Sequence, residues 1–299
     1  MLLSELLEEF KFNCECRRLS PKTTENYRKQ IVFLLDFLKD EYSVVKLEDV
    51  QPRQIKAFLH MKMKAGRKPS YVNDLLKAFK VYFKYAFEEG YTSELITEKI
   101  KNVKEPKVII RSFNKKEIRR MLDYYKGYDF FDIRNRTILV LFFDTGIRLS
   151  ELIELKDEQI HDDFILIHGK GDKERVVPKT PIAAKWLHKY IRVRNQYFER
   201  EHFETLFISR YNTHLSMSMV DKIVKDAGAF AEVKEDIRIS PHTLRHKFCQ
   251  QQLKNGLDIY SLSRIMGHEN ITITQRYLEG LRDDEIIKCA KTTSTIMNL

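Results

Sequence analysis

The sequence has few cysteines and no long apolar run. Cys14, Cys16, Cys249 and Cys289 form neither a CxxC pair nor a pattern with the spacing of zinc ligands. No stretch approaches the roughly twenty consecutive apolar residues that cross a membrane, and the N-terminal MLLSELLEEF has acidic residues where a secretory signal has basic ones. We therefore expect a cytoplasmic protein with reduced thiols, no metal site and no membrane partner.

Acidic residues are almost absent from the segment between Arg53 and Lys84. There Asp74 stands alone among nine basic residues: Arg53, Lys56, Lys62, Lys64, Arg67, Lys68, Lys77, Lys80 and Lys84. The whole chain has 53 Lys and Arg against 43 Asp and Glu, a formal net charge of +10. Basic helices with apolar faces suit a surface that follows phosphates, although a solvated helical face has a similar composition. The residues we expect to contact nucleic acid are Arg53, Lys56, Lys77, Lys80 and Lys84.

Helical periodicity predicts an all-helical N-terminal domain. Ser20-Pro21 is an N-cap followed by proline at the first helical position, and Gln51-Pro52 begins a further helix in the same way. The later sequence KNVKEPKVIIR loses this periodicity and contains a proline, which is typical of an extended linker. We expect a helical domain at residues 1–104, a linker at 105–111 and a second domain at 112–299.

The second domain adds a small β-hairpin to its helices. Phe164–Ile167 and Arg175–Val177 have strand character on either side of a Gly-Lys-Gly-Asp turn, which puts Lys170 at the tip of the hairpin. The predicted fold is therefore mainly α, with a mixed α+β C-terminal domain. In this domain helical signals run from Asn114 to Gly146. Further helices are predicted at 181–200, 216–229, 241–255 and 258–266.

The first candidate residue for binding an anion is Arg148, at the start of a predicted helix. An apolar helix ends at Gly146, and the next begins near Arg148, so that this side chain lies where backbone amides and the helix dipole favour negative charge. Glu151 lies on the same face and can orient a neighbouring group. A simple salt bridge between Arg148 and Glu151 is the alternative interpretation.

Two further pairs supply polar groups with catalytic potential. His242 and Arg245 are three residues apart and share one helical face, so both can approach a single phosphate. His268 and Tyr277 would lie on opposite sides of one continuous helix, but Gly267 and the possible N-cap that follows it allow a turn between them. Capping, packing or surface exposure would account for each residue taken singly.

Together these residues suit the cleavage of a phosphodiester. Arginine stays charged and offers a bidentate fork to phosphate oxygens, which gather negative charge under attack. A tyrosine phenol is a modest nucleophile that needs such help. The set of two arginines, two histidines and one tyrosine therefore predicts a metal-free phosphodiester chemistry.

The motifs resemble those of the tyrosine recombinases, the phage integrase and Xer family. TGxRxxE, GKGxKER, HxLRH, GH and a tyrosine nine residues later occur in the family's order across residues 145–277, and the basic helical domain is similar to the family's core-binding domain. Ile273 departs from the pattern, because many relatives carry there the first of two threonines. The resemblance implies the following roles: Arg148 and Arg245 clamp the scissile phosphate, Lys170 protonates the leaving 5′ oxygen, His242 assists proton movement at the tyrosine, His268 contacts a phosphate oxygen, Glu151 supports the site, and Tyr277 forms a 3′-phosphotyrosine link.

The resemblance also implies partners and leaves alternatives. It implies double-stranded DNA, four copies of the chain on two DNA sites, a possible related recombinase or accessory protein, and no cofactor. Lys173 competes with Lys170 for the role of general acid. A type IB topoisomerase-like enzyme or a catalytically idle DNA-binding regulator would share the fold. The sequence does not distinguish integration, excision and dimer resolution. An apolar stripe in the C-terminal tail, at Ile286, Ile287 and Ala290, could dock on a neighbouring protomer or on its own domain.

Overall fold

The computed structural model describes residues 1–106, 111–169, 173–199 and 202–278. The chain divides into two units, residues 1–107 and 108–299, each with its own apolar core. The predicted fold class, mainly helical with a small antiparallel sheet, is confirmed. Among the described helices, none combines the length and the apolar character needed to cross a membrane. Lys170 and the tail stripe at Ile286, Ile287 and Ala290 lie outside the described residues.

Proline and helix caps define the helices of the first unit. Proline occupies the first position of three of them, where its missing N–H costs no hydrogen bond, and the Ser20 hydroxyl accepts the Thr23 amide at 3.2 Å. The apolar stripes meet around the buried Tyr82, whose hydroxyl donates to the Leu3 carbonyl at 2.9 Å. Between residues 1 and 106 the α-helices are α1 (Leu3–Cys16), α2 (Pro21–Tyr42), α3 (Pro52–Lys64) and α4 (Pro69–Glu88).

The second unit is built around α6, which is buried on nearly all sides and packs against α8 and α10. Two predicted helix boundaries of this unit are confirmed: Asn114 caps the start of α5, and Gly146 ends α6 in the left-handed conformation. The described elements are α5 (Lys115–Tyr124), α6 (Phe130–Thr145), α7 (Leu149–Glu154), β1 (Phe164–Gly169), β2 (Lys173–Pro178), α8 (Pro181–Phe198), α9 (Met217–Phe230), α10 (Pro241–Lys254), α11 (Ile259–Met266) and α12 (Ile271–Gln275).

The two strands form an antiparallel hairpin with one face on the core. Ile165 pairs with Val177 and Ile167 pairs with Arg175. Because side chains alternate along a strand, Arg175 belongs to the same row as three buried aliphatic residues. An arginine therefore stands on the core-facing side of β2, and its side chain is only 10% exposed.

A small separate core brings the end of the described chain against α10 and α11. It consists of Phe248, Cys249, Leu253, Leu262, Met266 and Tyr277. Gly146 allows α10 to approach α6 closely, because a Cβ there would lie 2.4 Å from the Phe248 ring. The predicted turn between His268 and Tyr277 is confirmed, since Gly267 ends α11 at φ +60° and Asn270 caps α12.

Candidate active site

Arg245 lies in the interior of the second unit. It stands one turn into α10 and is 5% exposed. Its Nη1 donates to the Gly146 carbonyl and its Nη2 to the Met266 carbonyl, both at 2.6 Å. Burial, followed by repulsion from Arg148, lowers its pKa to about 10, so the guanidinium remains charged at neutral pH. The protein therefore holds a fixed cation between the ends of α6 and α11.

Arg148 approaches the same place from the start of α7. Its Nη2 donates to the Gly267 carbonyl at 2.6 Å, and its Nη1 donates to Glu151 at 2.7 Å. The backbone amide of Arg148 also donates to this carboxylate at 2.8 Å. Thus Glu151 forms the salt bridge considered above and at the same time orients the arginine, whose side chain keeps 33% of its surface exposed.

Glu151 is held by a second arginine that motif analysis missed. Arg175 donates Nη1 and Nη2 to the two carboxylate oxygens at 2.7 and 2.6 Å. Burial by itself would raise the pKa of Glu151, but the hydrogen bonds and charges of Arg175 and Arg148 lower it to about 2. The carboxylate is therefore ionised and bridges two cations. In the sequence Arg175 is the last residue of the GKGxKER motif and an arginine at a core-facing strand position.

His268 follows α11, and its hydrogen bonds define its tautomer. Nε2 lies 3.2 Å from Nη2 of Arg245, which can only donate, so Nε2 accepts. Nδ1 then carries the proton and donates to the Thr274 hydroxyl at 2.8 Å. Burial, followed by the charge of Arg245, lowers the pKa of His268 to about 4, which keeps the ring neutral. Thr274, beside the unusual Ile273, is therefore a further positioning residue.

Tyr277 lies beside this group with its hydroxyl directed at α10. The side chain is 5% exposed, and its oxygen lies 2.8 Å from Nδ1 of His246. The Cys249 thiol forms a hydrogen bond with the same phenol. Burial, followed by the proximity of Cys249, raises the pKa of Tyr277 above its usual range. The phenol is therefore neutral at physiological pH and fully hydrogen-bonded.

Of the predicted catalytic residues that the structure describes, His242 is not hydrogen-bonded to this network. His242 is exposed at the start of α10, and no hydrogen bond joins it to Tyr277 among the residues that the structure describes. Lys170 lies outside the described residues, and its competitor Lys173 is the first residue of β2. The structure thus brings together Arg148, Glu151, Arg245, His268 and Tyr277, and adds Arg175, His246 and Thr274.

The basic residues chosen for nucleic acid lie in the first unit. Arg53 and Lys56 are exposed on α3. On α4, Lys77 and Lys84 are exposed and Lys80 is half-buried, and the spacing of three and four residues puts all three on one side of that helix. This side faces solvent and has the charge to approach phosphates.

Comparison with known proteins identifies the family of both units. Residues 111–282 match the Phage integrase family, and residues 6–93 match the Phage integrase N-terminal SAM-like domain. Tyrosine recombinase XerD from Oceanobacillus iheyensis is 29% identical over 265 residues, which cover 87% of this chain and 88% of the relative. A similar XerD from Staphylococcus aureus (strain Mu50) is 29% identical over 262 residues, with 87% and 88% covered.

Solved structures show the same fold. The crystal structure of a lambda integrase (75–356) dimer bound to a COC′ core site superposes with a TM-score of 0.76 at 19% identity, over 95% of this chain and 97% of the other. A lambda integrase tetramer bound to a Holliday junction gives 0.74 at 19% identity, over 91% and 79%. The family match covers more than half of the sequence, together with the arginines, the histidines and the tyrosine of the site, and the chain therefore belongs to the phage integrase family.

Proposed function

We propose that the protein is a site-specific tyrosine recombinase that cleaves and rejoins duplex DNA through a 3′-phosphotyrosine intermediate. The observation that carries the proposal is the convergence of Arg148, Arg245, His268 and Tyr277 around the last turn of α11. Two guanidinium groups beside one phenol can stabilise the charge that builds on a phosphodiester under attack. The XerD relatives, which share 29% identity over most of this chain, support the same activity.

The proposed reaction is a transesterification. The Tyr277 oxygen attacks phosphorus, the bond to the 5′ oxygen breaks, and the strand stays attached to the enzyme through its 3′ phosphate. Arg148 and Arg245 hold the non-bridging oxygens, and His242, one turn from the His246 that contacts the phenol, assists the departure of the phenol proton. The bond energy stays in the phosphotyrosine, so a 5′ hydroxyl of another strand can reverse the step without a cofactor.

The leaving 5′ oxygen needs a proton, and we propose Lys170 at the hairpin as its source, with Lys173 as the competitor. In a substrate with a 5′-bridging phosphorothioate, the 5′ sulfur leaves readily without protonation, so this substrate distinguishes the two lysines. With this substrate we expect Lys170→Ala to regain its rate, after a loss of about 10²–10⁴ with ordinary DNA. Rescue of Lys173→Ala instead would transfer the role to Lys173.

The basic residues of α3 and α4 are the proposed DNA-binding surface of the first unit. Arg53, Lys56, Lys77, Lys80 and Lys84 would neutralise phosphates and release counterions, which supplies affinity without sequence specificity. Four copies on two DNA sites, alone or with a related recombinase or accessory protein, would complete the reaction in the cytoplasm. The solved lambda integrase tetramer on a Holliday junction supports this assembly.

A suicide substrate tests the proposal. Duplex DNA from the source genome around this gene, nicked close to the cleavage point, would trap the covalent complex because the short cleaved fragment diffuses away. The wild type should form a complex that survives a denaturing gel, and Tyr277→Phe should form none while binding the same DNA. Relaxation of plasmids that lack any specific site would instead favour a topoisomerase-like enzyme, and the absence of any covalent complex would favour an idle regulator.

A further inference from the structure

Arg175 occupies an unusual place for an arginine. It lies in the core-facing row of the hairpin, in register with Ile167 and two residues from the buried Val177. A buried charge is costly unless it is paired and hydrogen-bonded. The two hydrogen bonds to Glu151 and a third, from Nε to the Ile265 carbonyl at 2.9 Å, meet that requirement.

Three arginines meet three successive carbonyls at the end of α11. Arg175 binds the carbonyl of Ile265, Arg245 that of Met266, and Arg148 that of Gly267. The last carbonyls of a helix lack partners within the helix and form the negative end of its dipole, which attracts cations. The guanidinium groups of Arg148, Arg175 and Arg245 are therefore all hydrogen-bonded to the C-terminal end of α11.

The packing around Arg175 leaves it little freedom. A Cβ at position 267 would lie 2.9 Å from Cδ of Arg175, so only glycine allows the chain to pass at this distance. The strand fixes one end of the side chain, while Glu151 and Ile265 fix the other. A displacement of β2 would thus be transmitted to the carboxylate that holds Arg148.

We infer that Arg175 is a positioning residue, which couples the β-hairpin to Arg148 through Glu151 and to the end of α11 through the Ile265 carbonyl. The inference rests on the proposed function, in which the hairpin supplies the general acid and Arg148 holds the phosphate. The buried Glu151 carboxylate then sets the distance between the hairpin, which is proposed to supply the general acid, and Arg148, which is proposed to bind the scissile phosphate. Misplacement by about 1 Å at such a site can slow a reaction about 10²-fold.

Another buried ion pair in the same unit provides a matched control. Arg194 is fully buried, and it donates to both oxygens of Asp157 at 2.8 and 2.5 Å. Arg194 donates hydrogen bonds to Asp157, Asn195 and the Leu206 carbonyl, none of which belongs to the site. Arg194→Lys should therefore lower the melting temperature without changing the chemistry at temperatures where the protein is folded.

The test compares Arg175→Lys and Arg175→Gln with Arg194→Lys in single-turnover cleavage of saturated DNA complexes. We expect Arg175→Gln to slow cleavage by about 10–10² with DNA affinity unchanged, and Arg175→Lys to lie between it and the wild type because it keeps the charge and loses the fork. Wild-type cleavage by Arg175→Gln, or equal slowing by Arg194→Lys, would overturn the inference and leave Arg175 a purely structural residue.

A double-mutant cycle with Glu151→Gln tests the route of the coupling. If Arg175 acts through Glu151, the two substitutions together should slow cleavage little more than Glu151→Gln does by itself, because interacting residues are not additive. Multiplication of the two separate effects would contradict this route and with it the inference.

The ionisation of Glu151 gives a further readout, the pH dependence of cleavage. The charged groups that face this carboxylate are Arg148, Arg175 and Arg245, and it also lines a pocket with Glu154, Lys156, Glu158 and His168. Without Arg175 the burial of the carboxyl remains while its main partner is lost, so its pKa should rise. The acid limb of cleavage should move to higher pH in Arg175→Gln, and it should not do so in the double variant with Glu151→Gln.

Carbon-13 NMR of the Glu151 carboxyl would detect that rise directly. An unchanged titration in Arg175→Gln would overturn the inference. If the wild type formed no Tyr277-dependent covalent complex, the proposed function would fail, and the NMR titration would still decide whether Arg175 controls the carboxylate that holds Arg148.

Discussion

The phenol oxygen of Tyr277 lies 2.8 Å from Nδ1 of His246, one turn of α10 beyond His242. Burial, followed by the charges of His242 and Arg245, lowers the pKa of His246 to about 4, so its ring is neutral at physiological pH. The proposed nucleophile is therefore protonated, buried and hydrogen-bonded to a histidine other than His242, the one expected from the sequence.

Removal of His246 should deprive the buried phenol of one of its two hydrogen-bond partners. We expect His246→Ala to destabilise the protein by about 1–3 kcal/mol, the usual cost of an unsatisfied buried polar group together with some lost packing. Adding Tyr277→Phe should recover part of this loss, because the hydroxyl that lost a partner is then absent. Urea unfolding of the two single variants and the double variant measures the coupling, and strictly additive losses would show that the hydrogen bond contributes nothing.

Arg148 and Arg245 should matter for chemistry more than for DNA binding. Arg148→Ala and Arg245→Ala should each slow single-turnover cleavage by about 10²–10³, because each removes a fixed donor to a developing oxyanion. Lysine should restore little, since it lacks the planar fork. Arg120→Ala, which removes a surface ion pair with Glu232, is the control and should cleave normally. Normal cleavage by Arg148→Ala or Arg245→Ala would place the phosphate clamp elsewhere.

His268 should take up a proton when it contacts a phosphate. In the structure Nε2 of His268 accepts from Arg245 and the pKa of His268 is about 4, so it has no proton to donate from that atom. A bound phosphate stabilises the imidazolium and raises this pKa. Between the free and the bound pKa, DNA binding should consume protons, and affinity should rise as the pH falls. Calorimetry in buffers of different ionisation enthalpy measures the uptake, and a His268→Asn variant that takes up just as many protons would contradict the assignment.

The basic face of α4 should determine the dependence of binding on salt. Replacing Lys77, Lys80 and Lys84 with glutamine should weaken DNA binding and reduce the slope of log K against log salt by about one for each lost contact. The control triple, Lys22, Lys29 and Lys39 to glutamine on α2, changes the net charge equally and should leave the slope almost unchanged. Equal slopes for the two triple variants would make the α4 lysines an ordinary solvated surface.

The helices, the hairpin and the turn before Tyr277 could be predicted because their signals are local. Proline at first helical positions, capping side chains and Gly146 and Gly267 act through backbone geometry that the sequence displays directly. The partners of the site residues could not be predicted. Arg175 and His246 acquire their roles from strand register and from the packing of α10 against the segment after α12, which depend on residues far apart in the chain.

The central claim is that Tyr277 becomes covalently bound to the 3′ phosphate of cleaved DNA. Mass spectrometry of the trapped complex, after digestion with protease and nuclease, identifies the modified peptide and residue. We predict a nucleotide adduct on Tyr277 in the wild type and no adduct on any residue in Tyr277→Phe. An adduct on another residue, or an unmodified Tyr277 in a complex that has cleaved its DNA, would contradict it.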